Sequence, residues 1–406
     1  MDIFIGFTAI SLVALITTLV AHRFPEISRI LYTALTIRIF VMLLGYNFVT
    51  LPDSTFDAMG FETGAWQRAQ GDFLDIFNYG IDSNYIKSII AIPYYTIGRS
   101  LLMAQSISLL FGIGSVILGW SLAKKLWDNH TAIKVGWVIA LFPTLILYSV
   151  LTLREVYAAF FLLVAMHGIV DWTRDEKFKS IALALIGFIG GTLFHGAIIV
   201  GAFVFFTLIV LRSSRKIIKL LSNYHTSLKH LLIIASCIIF SLFYISNNIH
   251  IPKLGTFEEA IDTSRLIDEL AFRMKGDASY PEWTKINEPI EFFYKGFIRI
   301  LYLLYSPFPW NVEKTNHLIG MTDGFLYLTI SYFIFRNRKD ILNDPALLSI
   351  FLILLCYLFI FGIGTSNFGA GSRHRSKFVI EMIILAGPLI PGFYFSSKKR
   401  LRKYLK

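Results

Sequence analysis

The sequence predicts an all-α polytopic membrane protein of 406 residues. Three observations lead to this fold class. The composition is 55% hydrophobic and 16% charged, and the mean hydropathy of +0.62 lies outside the range of ordinary soluble proteins. Many apolar runs approach the roughly 20 residues that a helix needs to cross a hydrocarbon core of about 30 Å. Most of the lysines and arginines gather in short connectors between these runs.

Taken in chain order, the apolar runs predict about eleven crossings within a single integral membrane domain, residues 1–406. The first run, Met1–Ala21, lacks a basic n-region and a clear cleavage site, so it is interpreted as a transmembrane helix rather than a signal peptide. The spans are predicted at residues 3–21, 30–51, 100–122, 135–150, 153–171, 180–194, 196–211, 231–247, 319–335, 347–363 and 378–395.

The basic connectors orient the chain. With these spans they fall on one side, which the positive-inside rule makes cytoplasmic. The net charge of +11 then reflects topology, and no nucleic-acid partner is expected. The N-terminus is predicted outside and the basic tail at residues 396–406 inside. The connectors are "HRFPEISR", "AKKLWDNHTAIK", "TRDEKFK", "RSSRKIIKLLSNYHTSLKH" and "RNRKD".

Two long loops are predicted on the outer side, at about residues 52–99 and about 248–318. Each contains an apolar stretch, at 85–100 and 292–311. If either stretch crossed the membrane alone, the downstream basic connectors would lie outside. We therefore expect interfacial or re-entrant helices that lie on the outer face.

One basic connector, "GAGSRHRSKF", is predicted on the outer side and so breaks the charge rule. Guanidinium groups bind phosphate oxygens bidentately, so Arg373 and Arg375, with His374, are candidates to bind a diphosphate. The alternative is contact with anionic lipid headgroups. Three cations of the second outer loop are candidates to extend the site: Arg265, Arg273 and Lys275.

The first outer loop offers carboxylates close to the membrane surface. Asp53 follows a proline at the end of a span, and Asp57 comes four residues later. In a helical turn the two would share a face. Either one is a candidate base that removes the proton from a sugar hydroxyl, while a cationic site stabilises a departing diphosphate. The alternative is that they only make an outer loop soluble.

Ionisable residues in the outer half of the spans need a partner or a function. Arg154 and the catalytic candidate Glu155 point about 100° apart on a helix, so different partners are expected. Arg154 is assigned to the phosphates, and Glu155 to an arginine such as Arg38 or Arg375; a salt bridge between helices is the alternative. His195 lies among glycines, where helices approach closely. It is a candidate acid or base, phosphate donor or interhelical hydrogen-bonding residue.

Four segments in this order resemble the polysaccharide-polymerising membrane proteins of the EpsG and Wzy (O-antigen polymerase) type, which are similar to GT-C glycosyltransferases. The resemblance extends over most of the chain. It implies that Arg154, His195, Arg373 and Arg375 match the polar positions of the family, and it implies a GT-C-like fold. The segments are "PDSTFDAMGFE", "LTLREVYAAFFLLVAM", "GGTLFHGAIIVG" and "RHRSKF".

The resemblance implies polymerisation of polyprenyl-diphosphate-linked repeat units at the periplasmic face of a bacterial inner membrane. The expected partners are the lipid-linked glycan, the bilayer, a flippase and a chain-length regulator. One alternative is a GT-C enzyme that adds a single sugar from a polyprenyl-monophosphate donor, and another is a flippase or transporter. No cofactor is expected; a divalent metal held by the acidic loop is an alternative that no ligand spacing demands.

Overall fold

The computed structural model describes residues 1–78, 84–221, 256, 258–259, 262–274, 278–312 and 315–392, with backbone alone at 214–221, 315–317 and 319. Within these ranges every regular element is a helix or a 3-10 turn, which confirms the all-α class. The predicted span at 231–247, the tail at 396–406 and the candidate cation Lys275 lie outside them.

The helices of the described ranges are α1 (Asp2–Arg23), α2 (Ser28–Asn47), α3 (Phe56–Arg68), α4 (Tyr85–Thr96), α5 (Leu101–Leu126), α6 (Asn129–Leu141), α7 (Pro143–Tyr148), α8 (Glu155–Asp175), α9 (Phe178–Phe194), α10 (Ile199–Leu221), α11 (Thr263–Arg273), α12 (Glu291–Tyr305), α13 (Thr315–Arg336), α14 (Arg338–Asn343), α15 (Pro345–Gly364), α16 (Phe368–Arg375) and α17 (Val379–Ala386).

In the part of the chain that the structure describes, six helices are long and apolar enough to cross a membrane: α1, α2, α5, α8, α10 and α15. Each coincides with a predicted span. Helices α9 and α17 are shorter apolar helices, and α17 ends in a 3-10 turn at Gly387–Leu389, before the predicted end of its span. The chain therefore has the helices of a multi-pass membrane protein, while the total of eleven spans is not confirmed.

The predicted span at 135–150 is two helices, α6 and α7. Pro143 begins α7, and because its nitrogen has no hydrogen, the last carbonyls of α6 have no helical partner there. Arg38 of α2 supplies one: its Nη1 donates to the Ala140 carbonyl at 2.8 Å, and its Nε donates to Ser149 Oγ at 3.0 Å. The mid-span arginine therefore stabilises a helix break and does not pair with Glu155.

Arg38→Leu is expected to lower the free energy of unfolding by about 1–3 kcal/mol, because it leaves buried carbonyl and hydroxyl groups without their donor. The measurement is thermal unfolding in detergent, followed by tryptophan fluorescence. Phe40→Leu, on the exposed face of the same helix, is the control and should change stability by about 0.5 kcal/mol or less. Equal melting of the two variants would contradict this role for Arg38.

Several predicted cytoplasmic connectors meet at one end of the helix bundle. The Trp127 indole donates a hydrogen bond to the Ile384 carbonyl at 2.9 Å, which brings the start of α6 close to the end of α17. Helix α8 runs from Glu155 to this end, and its residue Asp171 lies about 24 Å along the helix axis. The ion pairs that join the connectors are Lys124–Glu26 at 2.6 Å, Lys125–Asp171 at 2.8 Å and Arg212–Glu176 at 2.9 Å.

The two apolar stretches of the predicted outer loops form helices α4 and α12. These have 12 and 15 residues, too few to cross a bilayer unaided. Helix α12 holds the connection from α15 to α16 through Arg299. This buried guanidinium donates to the Ile363 carbonyl at 3.1 Å, the Thr365 carbonyl at 2.6 Å and Ser366 Oγ at 2.8 Å. The basic helix α16 is thereby fixed at the end of the bundle opposite the connectors.

Candidate functional site

Helix α16 contains the two arginines of the connector and directs them to opposite sides. It begins at an Asn367 side chain that accepts a hydrogen bond from the Ala370 amide at 2.8 Å. Successive residues of a helix are 100° apart, so Arg373 and Arg375 point about 200° apart. Arg373 contacts α3 and α8, whereas Arg375 contacts α12 and α13.

Arg373 is held between two carboxylates. Its Nη1 lies 2.5 Å from Asp57 Oδ2, and its Nη2 lies 3.2 Å from Glu155 Oε1. Burial lowers the pKa of Arg373, but the two carboxylates outweigh it and raise the pKa above its ordinary value. The arginine side chain is 15% exposed and that of Asp57 is 60% exposed. The cation is therefore permanent and is reached from solvent on the Asp57 side.

Glu155 is the buried anion of the site. Its Oε1 lies 3.5 Å from Lys377 Nζ as well as close to Arg373. It is the first residue of α8, where the helix dipole also favours a negative charge. The prediction that Glu155 pairs with Arg38 or Arg375 is wrong, because both arginines donate to backbone carbonyls elsewhere.

Two histidines and a phenylalanine pack against this ion cluster. The His195 and His374 ring centroids are 5.3 Å apart, and Phe361 lies 5.1 Å from the first and 5.0 Å from the second. Lys377 Nζ donates to His374 Nδ1 at 3.0 Å, so the neutral His374 ring carries its hydrogen on Nε2. His195 ends α9, and the structure brings it to His374 as neighbouring rings.

Asp53 lies in the turn before α3 and accepts a hydrogen bond from the Tyr148 hydroxyl at 2.9 Å. Its φ of 59° is left-handed, and α3 begins only at Phe56, so the interpretation of Asp53 and Asp57 as one helical turn is wrong. Burial raises the pKa of Asp53 above its usual range, although Tyr148 and Arg373 oppose this. A carboxylate of this kind is a stronger base than an exposed aspartate.

Arg154 is half-buried at the start of α8. Its guanidinium lies over the ring of Phe61 on α3, with 5.6 Å from Cζ to the ring centroid. Arg154 and Glu155 thus contact different groups, as their helical spacing predicts. Arg154 and Arg373 both contact α3, through Phe61 and Asp57.

Arg375 does not face this site. Its side chain is fully buried, and it donates to the Leu304 carbonyl at 2.9 Å and the Ser306 carbonyl at 3.0 Å. Its Nη2 forms an ion pair with Asp323 at 2.6 Å, and the guanidinium lies 4.8 Å from the Tyr327 ring centroid. The assignment of Arg375 to the diphosphate is therefore replaced by a role in holding α16 against α12 and α13.

The described cations of the second outer loop pair with carboxylates of their own segment. Arg265 lies 2.8 Å from Glu259, and Arg273 lies 2.8 Å from Glu269. Arg273 also donates to the Gly364 carbonyl at the end of α15, at 3.2 Å. Arg273 thus lies near the connection into α16, and no contact joins it to Arg373 in the described part of the chain.

No set of three histidine, cysteine, aspartate or glutamate side chains that fits a metal ion is found among the described residues. The carboxylates of the site are instead separated by cations, since Arg373 lies between Asp57 and Glu155. A divalent metal bound by the acidic loop stays an alternative prediction.

Two site residues were missed by the sequence interpretation. Lys377 had a local signal, because it follows Arg373 by four residues and so falls on the same helical face. Tyr148 had none, since its contact with Asp53 joins positions 95 residues apart.

Comparisons with known proteins show a likeness in fold to a solved structure. No family model and no curated protein matches the sequence. A similar solved structure is the archaeal oligosaccharyltransferase AglB from Archaeoglobus fulgidus in complex with an inhibitory peptide and a dolichol-phosphate, with a TM-score of 0.50 and 13% sequence identity. The likeness covers 90% of this chain and 50% of that chain, so this chain spans about half the length of AglB. The likeness shows that most of this chain shares a helical fold with part of AglB.

Proposed function

We propose that this protein is a membrane glycosyltransferase that takes its glycan from a polyprenyl-diphosphate carrier. The more specific proposal is a polymerase of lipid-linked repeat units in bacterial surface-polysaccharide biosynthesis, acting at the outer face of the cytoplasmic membrane. The observation that carries it is one cluster: the permanent cation Arg373 binds Asp57 and interacts electrostatically with the half-buried carboxylate Asp53, at the end of the bundle opposite the basic connectors.

Arg373 is the proposed binding group for the diphosphate. Its accessible partner Asp57 presents two carboxylate oxygens, as a phosphate would, and a diphosphate oxygen can take their place because Asp57 is exposed. Glu155 and Lys377 then hold the guanidinium and His374 in position from the buried side. A cation fixed before the reaction stabilises the charge that develops on the leaving diphosphate.

Asp53 is the proposed general base. The acceptor hydroxyl oxygen forms a bond to the anomeric carbon, and its proton passes to the Asp53 carboxylate. The bond from the anomeric carbon to the diphosphate oxygen breaks, and its electron pair leaves with the diphosphate. The raised pKa of Asp53 brings its basicity closer to that of an efficient base near neutral pH. This reaction uses no nucleotide.

The GT-C-like fold supports a lipid carrier as substrate, since the similar AglB structure contains a dolichol-phosphate. Repeated transfer to a lipid-linked acceptor makes a flippase, which delivers the substrate, and a chain-length regulator the expected partners. His195 is proposed to support His374 through the packed rings.

The test uses purified protein in liposomes with lipid-linked repeat units and no nucleotide sugar. A polymerase lengthens the glycan by whole repeat units. Addition of one sugar from a polyprenyl-monophosphate carrier would replace the polymerase by a single-sugar transferase. Movement of the lipid between leaflets without any change in the glycan would overturn the enzyme proposal in favour of a flippase.

A further inference from the structure

One face of α3 leads from the proposed diphosphate site to a second pair of cations. Asp57, Phe61 and Gly64 are spaced four and three residues apart, so they share a helical face. Asp57 contacts Arg373, and Phe61 contacts Arg154. The face continues to Gly64, about 10 Å along the helix axis from Asp57.

Lys87 of α4 lies across the far end of this face. Its Nζ is 6.0 Å from the Phe61 ring centroid, on a ring that also contacts Arg154. A Cβ at Gly64 would lie 2.9 Å from the Lys87 Cδ and Cε atoms, so the lysine stem passes directly over the glycine. Lys87 is half-buried, and within the described ranges its ammonium forms no ion pair and no hydrogen bond.

The neighbouring face of α3 is apolar and open. Phe56 is 91% exposed and Met59 is 60% exposed, and their spacing of three residues places them side by side. A soluble anion has no apolar part that could contact this surface. A lipid phosphate has one, because its hydrocarbon tail can lie against Phe56 and Met59 while its phosphate reaches the cations.

We infer that Lys87 and Arg154 form a second phosphate site, which binds the phosphate of a second lipid-linked glycan, the acceptor. This inference rests on the proposed function and extends it to a second substrate. The Lys87 end of α3 lies about 10 Å along the helix axis from the Asp57–Arg373 pair, so the second phosphate binds at one end of this face and the donor diphosphate at the other. Two lipid carriers lying side by side along α3 bring a donor and an acceptor to one site.

The experiment measures binding of a sugar-free polyprenyl diphosphate to the full chain in nanodiscs of neutral phosphatidylcholine. Wild type is expected to bind two equivalents. Lys87→Ala is expected to weaken one equivalent by about 10- to 100-fold, and Arg373→Ala the other. Gly64→Ala keeps the lysine but displaces its stem, so it should reproduce the effect of Lys87→Ala and guards against a folding defect in that variant.

The outcomes separate this inference from the proposed function. One equivalent in wild type, lost in Arg373→Ala and kept in Lys87→Ala, overturns the second site and leaves the diphosphate site standing. No binding in wild type overturns both. If phosphatidylglycerol in the nanodisc displaces the second equivalent, the site binds lipid headgroups in general, and the assignment to an acceptor carrier is wrong.

Discussion

Arg373→Ala is expected to reduce glycan transfer by about 100- to 1,000-fold while the protein stays folded. The guanidinium is the permanent cation that faces the exposed Asp57 side, so its loss removes the group that stabilises the leaving diphosphate. The fold should survive because Glu155 keeps Lys377 as a partner at 3.5 Å. The measurement is the initial rate of transfer in liposomes, with thermal unfolding of the same preparation.

Arg375→Met is the matched control for Arg373→Ala. It removes the other arginine of the same helix and leaves Asp323 as a buried carboxylate without its cation. The expected result is a fall in stability of about 3–5 kcal/mol, with activity lost only as the protein unfolds. A well-folded Arg375→Met that fails to bind diphosphate, beside an active Arg373→Ala, would show that the roles of the two arginines are reversed.

Asp53→Asn is expected to reduce the transfer rate by about 100- to 10,000-fold without lowering the melting temperature. Asparagine cannot take the proton from the hydroxyl of the acceptor sugar. Its side-chain oxygen still accepts the hydrogen bond from Tyr148, and asparagine tolerates the left-handed backbone at φ 59°. Asp53→Ala should be equally inactive but less stable, because alanine lacks both properties.

Because the pKa of Asp53 is raised, both the stability of the protein and the rate of transfer should depend on pH. Between its ordinary pKa and its raised pKa, the folded state binds more protons than the unfolded state, so this residue lowers stability as pH rises. Asp53→Asn lacks that contribution and should melt at or above the wild-type temperature at neutral pH. The wild-type rate should rise as pH passes the pKa of Asp53. A rate in Asp53→Asn with the same pH profile as wild type would assign the base elsewhere.

Composition and hydropathy predict the helical class, and six apolar runs in the described part of the chain form helices long enough to cross a membrane. The interruption at Pro143 could have been predicted, because a proline inside a span breaks the hydrogen-bond ladder. The role of Arg38 could not, since its acceptor Ala140 lies 102 positions away.

Even less of the candidate site could be predicted from local sequence. The sequence places Arg373 and Arg375 in one motif, yet only tertiary packing decides which of two opposite helix faces meets the protein interior. The left-handed turn at Asp53 has no local glycine to announce it. Lys87 and Tyr148 reach their contacts across the chain, so local spacing contains no signal for either.

The most direct measurement is a structure of the full chain in a nanodisc, determined with bound polyprenyl diphosphate. We expect diphosphate oxygens at hydrogen-bonding distance from the Arg373 guanidinium, with Asp57 displaced from it and Asp53 facing the position of the anomeric carbon. A diphosphate bound among the basic connectors near Lys124, with the Arg373–Asp57 pair intact, would contradict the proposed diphosphate site.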